Sequence, residues 1–583
     1  MAGDSAPGGG PMAAQESPLS SPIMISSANG VRRILFGVSG VACAGVALAW
    51  WLSGTFAGWP DPRSGYSAFY VIFARDEVWG LALVAVFGLG AGLFLFRESD
   101  SKSAMMGSAV FERRDLVVLT AVVIGVFAVT ALGTHFVCHD YALSADEFMV
   151  DFQARIFLRG KIAAEIPAEW LDAVRVIKPT FADYFPATHE WKATYLPVYA
   201  AMRAVFQSVY LQSLLNPSLA VLTVFALYGT ARNIWPNEKK NAFVAILLLA
   251  GSAQFLVMAM TAYSMPAHLA LNTIWLWLYS RPDRRRFYLA PVVGVLAIGL
   301  HQPIVHALFV TPFLFRLVRS RKWRAVFIFG FIYLLGCVAW YAWRAKFSPP
   351  SPFPIGSIFR LWNPKMLVIQ PMDLLLVAGW SALATPLLAI IGFGRIFRER
   401  PIIRDAALSC LLTFGFYYFF YLDQGHGWGY RYFHGTLSCL ILVAVAGWGV
   451  LIEKTGEPRA RNFLGVALAA SLFIALPLRC YQAESFIRPY ATASEAIHSM
   501  NAKVVGLDPR LAWYSADLVR NDPFLENRPV VAALAGLSPA EVTALARADQ
   551  ARFVSREEMK ELGLATTLRE PHWRDPFRLG TGK

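Results

Sequence analysis

The sequence predicts an all-α polytopic membrane protein of about thirteen transmembrane helices, with interfacial helices in its first large outer loop. A small extracytoplasmic α/β domain is predicted at its C-terminal end. Three observations carry this. Of 583 residues, 56% are hydrophobic and only 16% charged, whereas a soluble chain carries about a quarter charged. The apolar residues gather into segments close to the ~20 residues that cross a bilayer as helix. Basic residues collect in every second loop between those segments, as loops that resist translocation do.

The elements follow in order. Residues 1–30 are Gly, Pro, Ser and Ala without periodicity, which predicts a disordered cytoplasmic tail. No basic start runs directly into an apolar stretch and cleavage site, so a retained first helix is expected instead of a signal peptide. Residues 31–115 form an additional N-terminal hairpin, with spans near 34–52 and 78–96. The core, 116–479, has spans near 116–133, 214–231, 242–260, 266–279, 287–300, 304–317, 326–343, 374–393, 406–421, 435–452 and 463–478. With the N-terminus in the cytoplasm, loops 97–114, 232–240, 281–286, 316–324, 395–404 and 454–461 lie inside, and each is basic. Loop 135–213, stretch 347–373, loop 423–434 and segment 480–583 then lie outside a cytoplasmic (inner) membrane. The apolar run 195–211 would invert every later loop if it crossed, so it is a second interfacial or partly embedded helix.

The net charge of +14 needs no nucleic-acid partner, because basic residues stationed on inner loops produce it. Six cysteines are dispersed without CxxC spacing. Cys138 and Cys480 share the outer side and either pair or stay free. After Leu478 the chain turns polar. KVVGLD and RPVVAAL suggest strands, and SPAEVTALARAD and SREEMKELGL suggest capped helices, together a domain of about a hundred residues.

Two stretches interrupt the hydrophobic pattern enough to carry function. In the first, which begins at His135, Ser144 and Glu147 fit a capping box. Phe148, Phe152 and Ile156 then recur on one helical face, and Asp151, Arg155 and Arg159 on another. This is an amphipathic helix in the outer interface whose basic face would meet headgroups or phosphates. Glu147 is either a cap or a catalytic carboxylate; Asp146 and Asp140 are not needed by the cap. The second stretch, DQGHGWGYRYFHG, alternates aromatic rings with His426, Arg431 and His434. Such a surface suits sugar or lipid-phosphate recognition, or is an interfacial aromatic belt.

The order of these motifs resembles the GT-C membrane glycosyltransferases, in particular the protein O-mannosyltransferase and lipid A aminoarabinose transferase branch. The matching residues are Asp146–Glu147, the turn Leu158-Arg159-Gly160, Tyr195-Leu196-Pro197 and GYRYFHGTL from Gly429. The resemblance implies an inverting transfer of a sugar from a polyprenyl-phosphate-linked donor to a glycan, lipid or protein acceptor at the outer face. It implies Asp146 and Glu147 as the catalytic carboxylates. Asp140, Arg155, Lys192, Tyr195, His301, Arg431, Tyr432 and His434 are the substrate-binding candidates, with Lys192, Arg155 and Arg431 opposite the leaving phosphate. Relatives often carry Asp before Pro in the second outer loop and Lys in the third. Here Met265 precedes Pro266, and His301 stands in the place of the cation, as a phosphate donor or as a hydrogen-bonded helix-end histidine. No ligand spacing calls for a metal, and no cofactor beyond the lipid-borne donor is expected. The competing readings are a flippase of lipid-linked sugars, a polysaccharide polymerase or ligase, and an inactive scaffold of this architecture.

Overall fold

The computed structural model describes residues 28–56, 73–96, 111–281, 284–347, 364–420, 424, 427–510, 512–537 and 551–564. The N-terminal tail, the predicted helix SPAEVTALARAD and His426 lie outside them. The chain is a multi-pass membrane protein. Among the described residues, seven helical stretches can cross a bilayer by length and composition, eight with a bent pair counted as one span.

The N-terminal hairpin is α1 (Ala28–Phe56) and α2 (Val78–Phe94), followed by α3 (Phe111–Phe136). The outer loop then carries α4 (Ala145–Leu158), α5 (Val174–Ile177) and α6 (Val198–Gln207). The bundle continues through α7 (Leu215–Ile234), α8 (Lys239–Ala250), α9 (Ala253–Met260), α10 (Met265–Tyr279), α11 (Arg284–Phe287) and α12 (Ala290–Ile298). It closes with α13 (Pro303–Arg319), α14 (Trp323–Phe347), α15 (Pro364–Trp380), α16 (Ala384–Phe393), α17 (Pro401–Tyr418), α18 (Leu437–Thr455), α19 (Glu457–Ala470) and α20 (Leu476–His498).

Three predicted spans have a different build. The span near 242–260 is α8 and α9 bent by 57°, because Ser252 leaves the helix and caps α9 through the Phe255 amide at 3.4 Å. The span near 374–393 is α15 and α16, separated at Ser381–Leu383, where the Leu383 amide donates to Ser471 Oγ at 2.9 Å. The last span does not end at Leu478. One helical stretch, Glu457–His498, continues 20 residues further out. Apolar periodicity ended there, but a helix that packs on protein needs none on its other face.

The outer loop is more structured than its interfacial helices foretell. Strands β1 (Ala164–Glu165), β2 (Ala182–Phe185) and β3 (Glu190–Ala193) form an antiparallel sheet of order β1-β3-β2. The α6 segment, ten residues long, is too short to cross. At the C-terminal end β4 (Val504–Leu507) lies between β5 (Val530–Ala533) and β6 (Ala551–Val554), all parallel. KVVGLD and RPVVAAL are therefore strands, and SREEMKELGL contains α21 (Arg556–Glu561), capped by a Ser555–Glu558 box. The two outer pieces share one apolar cluster, which includes Met149, Phe152, Ile156, Trp191, Leu525 and Val530. Trp191 Nε1 donates to the Pro523 carbonyl at 2.6 Å inside it. All six cysteines are free, Cys138 and Cys480 among them.

Candidate active site

The site begins with a helix start. Ser144 accepts from the Glu147 amide, and the Glu147 carboxylate accepts from the Ser144 amide at 3.0 Å, a complete capping box. The other Glu147 oxygen accepts from the Ala262 amide at 3.0 Å, which ties α4 to the turn between α9 and α10. That turn is held on its far side by buried Asn216, which donates to the carbonyls of Thr261 (2.7 Å) and Tyr263 (2.9 Å). Glu147 thus has its oxygens engaged in joining elements.

Asp146, its neighbour on the first turn, points elsewhere. It accepts hydrogen bonds from the Tyr195 hydroxyl and from Arg431 Nη1, the latter at 3.1 Å. Tyr195 is brought there by the end of β3, and its ring lies 4.0 Å from that of His301, in the turn before α13. Arg431 is set by the segment before α18. Its amide donates to Gln424 Oε1 at 2.7 Å, its Nη2 donates to the Gln424 carbonyl, and its guanidinium lies 4.8 Å from the Tyr263 ring. Gly429 allows this path: its φ is +72°, and a Cβ there would meet Gln254 Oε1 at 2.7 Å. Asp146, Tyr195, His301, Tyr263 and Arg431 therefore meet at one point, drawn from five separate segments.

The electrostatics follow from that geometry. Burial alone pushes the Asp146 carboxyl up, but the Arg431 guanidinium, with His301 and the Tyr195 hydroxyl, outweighs it and holds the group below the ordinary carboxylate value. For His301, burial wins over the attraction of Asp146 and takes the imidazole down to about 4, so it is neutral at pH 7. Arg431 is therefore the charge that keeps Asp146 ionised. Burial and the Asp146 carboxylate together keep the Tyr195 hydroxyl protonated, well above its usual range.

The remaining candidates stand apart. Lys192 is 2% exposed on β3, 3.7 Å from Asp183, and burial pulls its ammonium below its usual value against that partner. Arg155 meets Asp522 at 3.1 Å, and Arg159 pairs with Glu526 and covers the Phe524 ring at 3.9 Å. The basic face of α4 thus finds a protein partner where headgroups were expected. Asp140 accepts from or pairs with His135 Nδ1 at 2.7 Å and lines a different cavity, of about 570 Å³, with His139, Glu495 and His498. Tyr432 stacks on Tyr417 at 4.4 Å. His434 is fully buried, and neither ring nitrogen has a hydrogen-bond partner among the described residues. His268, which no sequence motif singles out, is in the same condition. His306 is the reverse, bonded to Asn272 at 2.7 Å and Tyr333 at 2.8 Å. Tyr263, two residues before Met265, is likewise not legible in sequence, since a lone aromatic gives no sign of facing an arginine in another loop. Among the described residues no three His, Cys, Asp or Glu side chains form a metal-holding group.

No protein-family profile matches the chain, and no curated protein matches it. Solved structures do. ArnT from Cupriavidus metallidurans, bound to undecaprenyl phosphate, matches 71% of this chain and 86% of its own at 15% identity, with a TM-score of 0.46. The apo form of the same protein matches 75% of this chain and 95% of its own at 14% identity and a TM-score of 0.45. An oligosaccharyltransferase from Archaeoglobus fulgidus matches 69% and 62% at 12% identity, with a TM-score of 0.38.

Proposed function

We propose that the chain is an inverting glycosyltransferase that moves a sugar from a polyprenyl-phosphate donor to an acceptor at the outer membrane face. The observation that carries it is the buried carboxylate of Asp146 at a helix start, held ionised by Arg431 and ringed by Tyr195 and His301. The acceptor hydroxyl would attack the anomeric carbon as the bond from that carbon to the lipid phosphate breaks. Asp146 would accept or orient the hydroxyl proton. Its lowered basicity favours orientation, since a strongly held carboxylate pulls a proton weakly. Arg431 would balance the phosphate that departs, with the Tyr195 hydroxyl and the neutral His301 as further hydrogen-bond partners. Glu147 serves as the brace of this arrangement, and Asp146 as its reacting group.

Outer-face action supports itself on the basic inner loops of the sequence, which set the loop bearing Asp146 on the opposite side. One observation favours a second reading. The 57° bend between α8 and α9 is a broken helix, as many secondary transporters use at their substrate sites. A single experiment separates the two. Purified protein in liposomes is offered a panel of radiolabelled polyprenyl-phosphate sugars. Label in a water-soluble or lipid acceptor supports transfer; donor that crosses the bilayer unchanged supports transport and contradicts transfer.

A further inference from the structure

Two helices that start at the Asp146 site end at a second, unassigned one. Both α10, from the Tyr263 turn, and α13, from His301, run about 22–25 Å to the opposite end of the bundle. There a cavity of about 860 Å³ opens between the α10–α12 connection and the α13–α14 turn. Its lining includes Arg281, Arg285, Arg321, Lys322 and Arg324, with no Asp or Glu among the described lining residues.

Basic loops alone would account for the charge but not for its shortage of ion pairs among the described residues. Other cations of inner loops have carboxylate partners: Arg395 and Lys454 share Glu453, Lys240 has Glu457, and Arg316 has Asp405. Among the described residues Arg281, Arg321, Lys322 and Arg324 form no ion pair. Arg281 instead lies 4.2 Å from the Trp277 ring and keeps a buried Nε without a partner, and Arg324 lies 6.0 Å from the Tyr288 ring. Four positive charges without an ion pair among the described residues, joined by Arg285, converge on one concave space and call for an anion with several acceptor oxygens.

The surroundings say which kind. From the cavity rim α14 exposes Phe327, Phe331, Leu334 and Leu335, one apolar stripe at helical spacing. Trp323, 53% exposed, stands where the charged rim meets that stripe, the usual place of an interfacial tryptophan. A charged cleft continuous with an apolar groove fits an amphiphile. We propose that this cavity binds the phosphate headgroup of an anionic phospholipid in the leaflet opposite the Asp146 site, with the acyl chains along α14. Nothing in the transfer reading requires it, so the two stand or fall separately.

The test is lipid retention by the full chain. Protein purified in neutral detergent is exchanged through mixed micelles of phosphatidylglycerol and phosphatidylcholine, and the lipids that stay bound are counted. Phosphatidylglycerol should be retained in clear excess, and Arg321→Gln, Lys322→Gln and Arg324→Gln should each reduce the excess by about fivefold. All three side chains are exposed, so unfolding in phosphatidylcholine should not change and serves as the control for folding. Excess inorganic phosphate should not displace the lipid. Equal retention of the two lipids, an excess indifferent to all three substitutions, or full displacement by inorganic phosphate would each overturn the proposal.

Discussion

Asp146 sits between opposed influences, and removal of one exposes the other. Burial raises its carboxyl, and Arg431 pulls it down past the ordinary value of about 3.9. Because the net shift is downward, the ionised form is complete above the ordinary value and is lost only as pH falls through the lowered one. Transfer by the native protein should therefore keep its acid limb below about pH 4. Arg431→Gln should move that limb upward, with a loss of rate at neutral pH, and a pH–rate profile of the two proteins checks it. Glu147→Gln should act otherwise. It should lower thermal stability by about 1 kcal/mol as a damaged cap does, with the acid limb unmoved. The division of labour between these neighbours was half legible. The spacing of Ser144 and Glu147 announces a cap, but Arg431 is 285 positions from Asp146, and nothing local to either predicts their meeting.

At the level of elements, the bundle depends on close backbone approaches that hydropathy does not register. Where α16 crosses α18, a Cβ on Gly447 would collide with the Leu388 carbonyl, and one on Gly392 with the Val443 carbonyl. Such small-residue contacts let helices pack where lipid offers no hydrophobic drive. Gly447→Ala should cost about 1–3 kcal/mol. Gly449, two residues on, faces open space, so Gly449→Ala should be neutral or stabilising by up to about 1 kcal/mol. Opposite signs in one denaturation series would confirm the crossing; equal effects would deny it. The same blindness explains the spans that differ in build. A twenty-residue apolar stretch reads alike straight or bent, and the break at Gly251–Ser252 has no proline to mark it. The outer sheet was missed because its strands are two to four residues long and held by Trp191 and Gln153, the latter through the Ala193 amide at 3.0 Å.

Across the whole molecule, the parts that look separable in sequence are fastened together. Arg479 of α20 is 1% exposed and donates to Glu77 before α2 at 2.8 Å and to the Gly379 carbonyl of α15 at 3.0 Å. Trp380 Nε1 donates to the same Glu77 carboxylate at 2.9 Å. The N-terminal hairpin is thus locked to the core by a fully bonded buried pair. Arg479→Met should cost about 3–5 kcal/mol, since it strands a buried carboxylate, and adding Glu77→Gln should restore part of that loss. Asn521 donates to the carbonyls of Ile177 (2.7 Å) and Val531 (2.8 Å), which joins the loop between α3 and α7 to the C-terminal sheet. This assembly explains how an interfacial helix holds Asp146 steady. The most direct test of its role is single-turnover sugar transfer by Asp146→Asn, with donor binding measured on the same protein. Transfer should fall by about 10²–10⁴-fold with donor affinity near that of the native chain if Asp146 is the reacting carboxylate. Transfer at the native rate would contradict it.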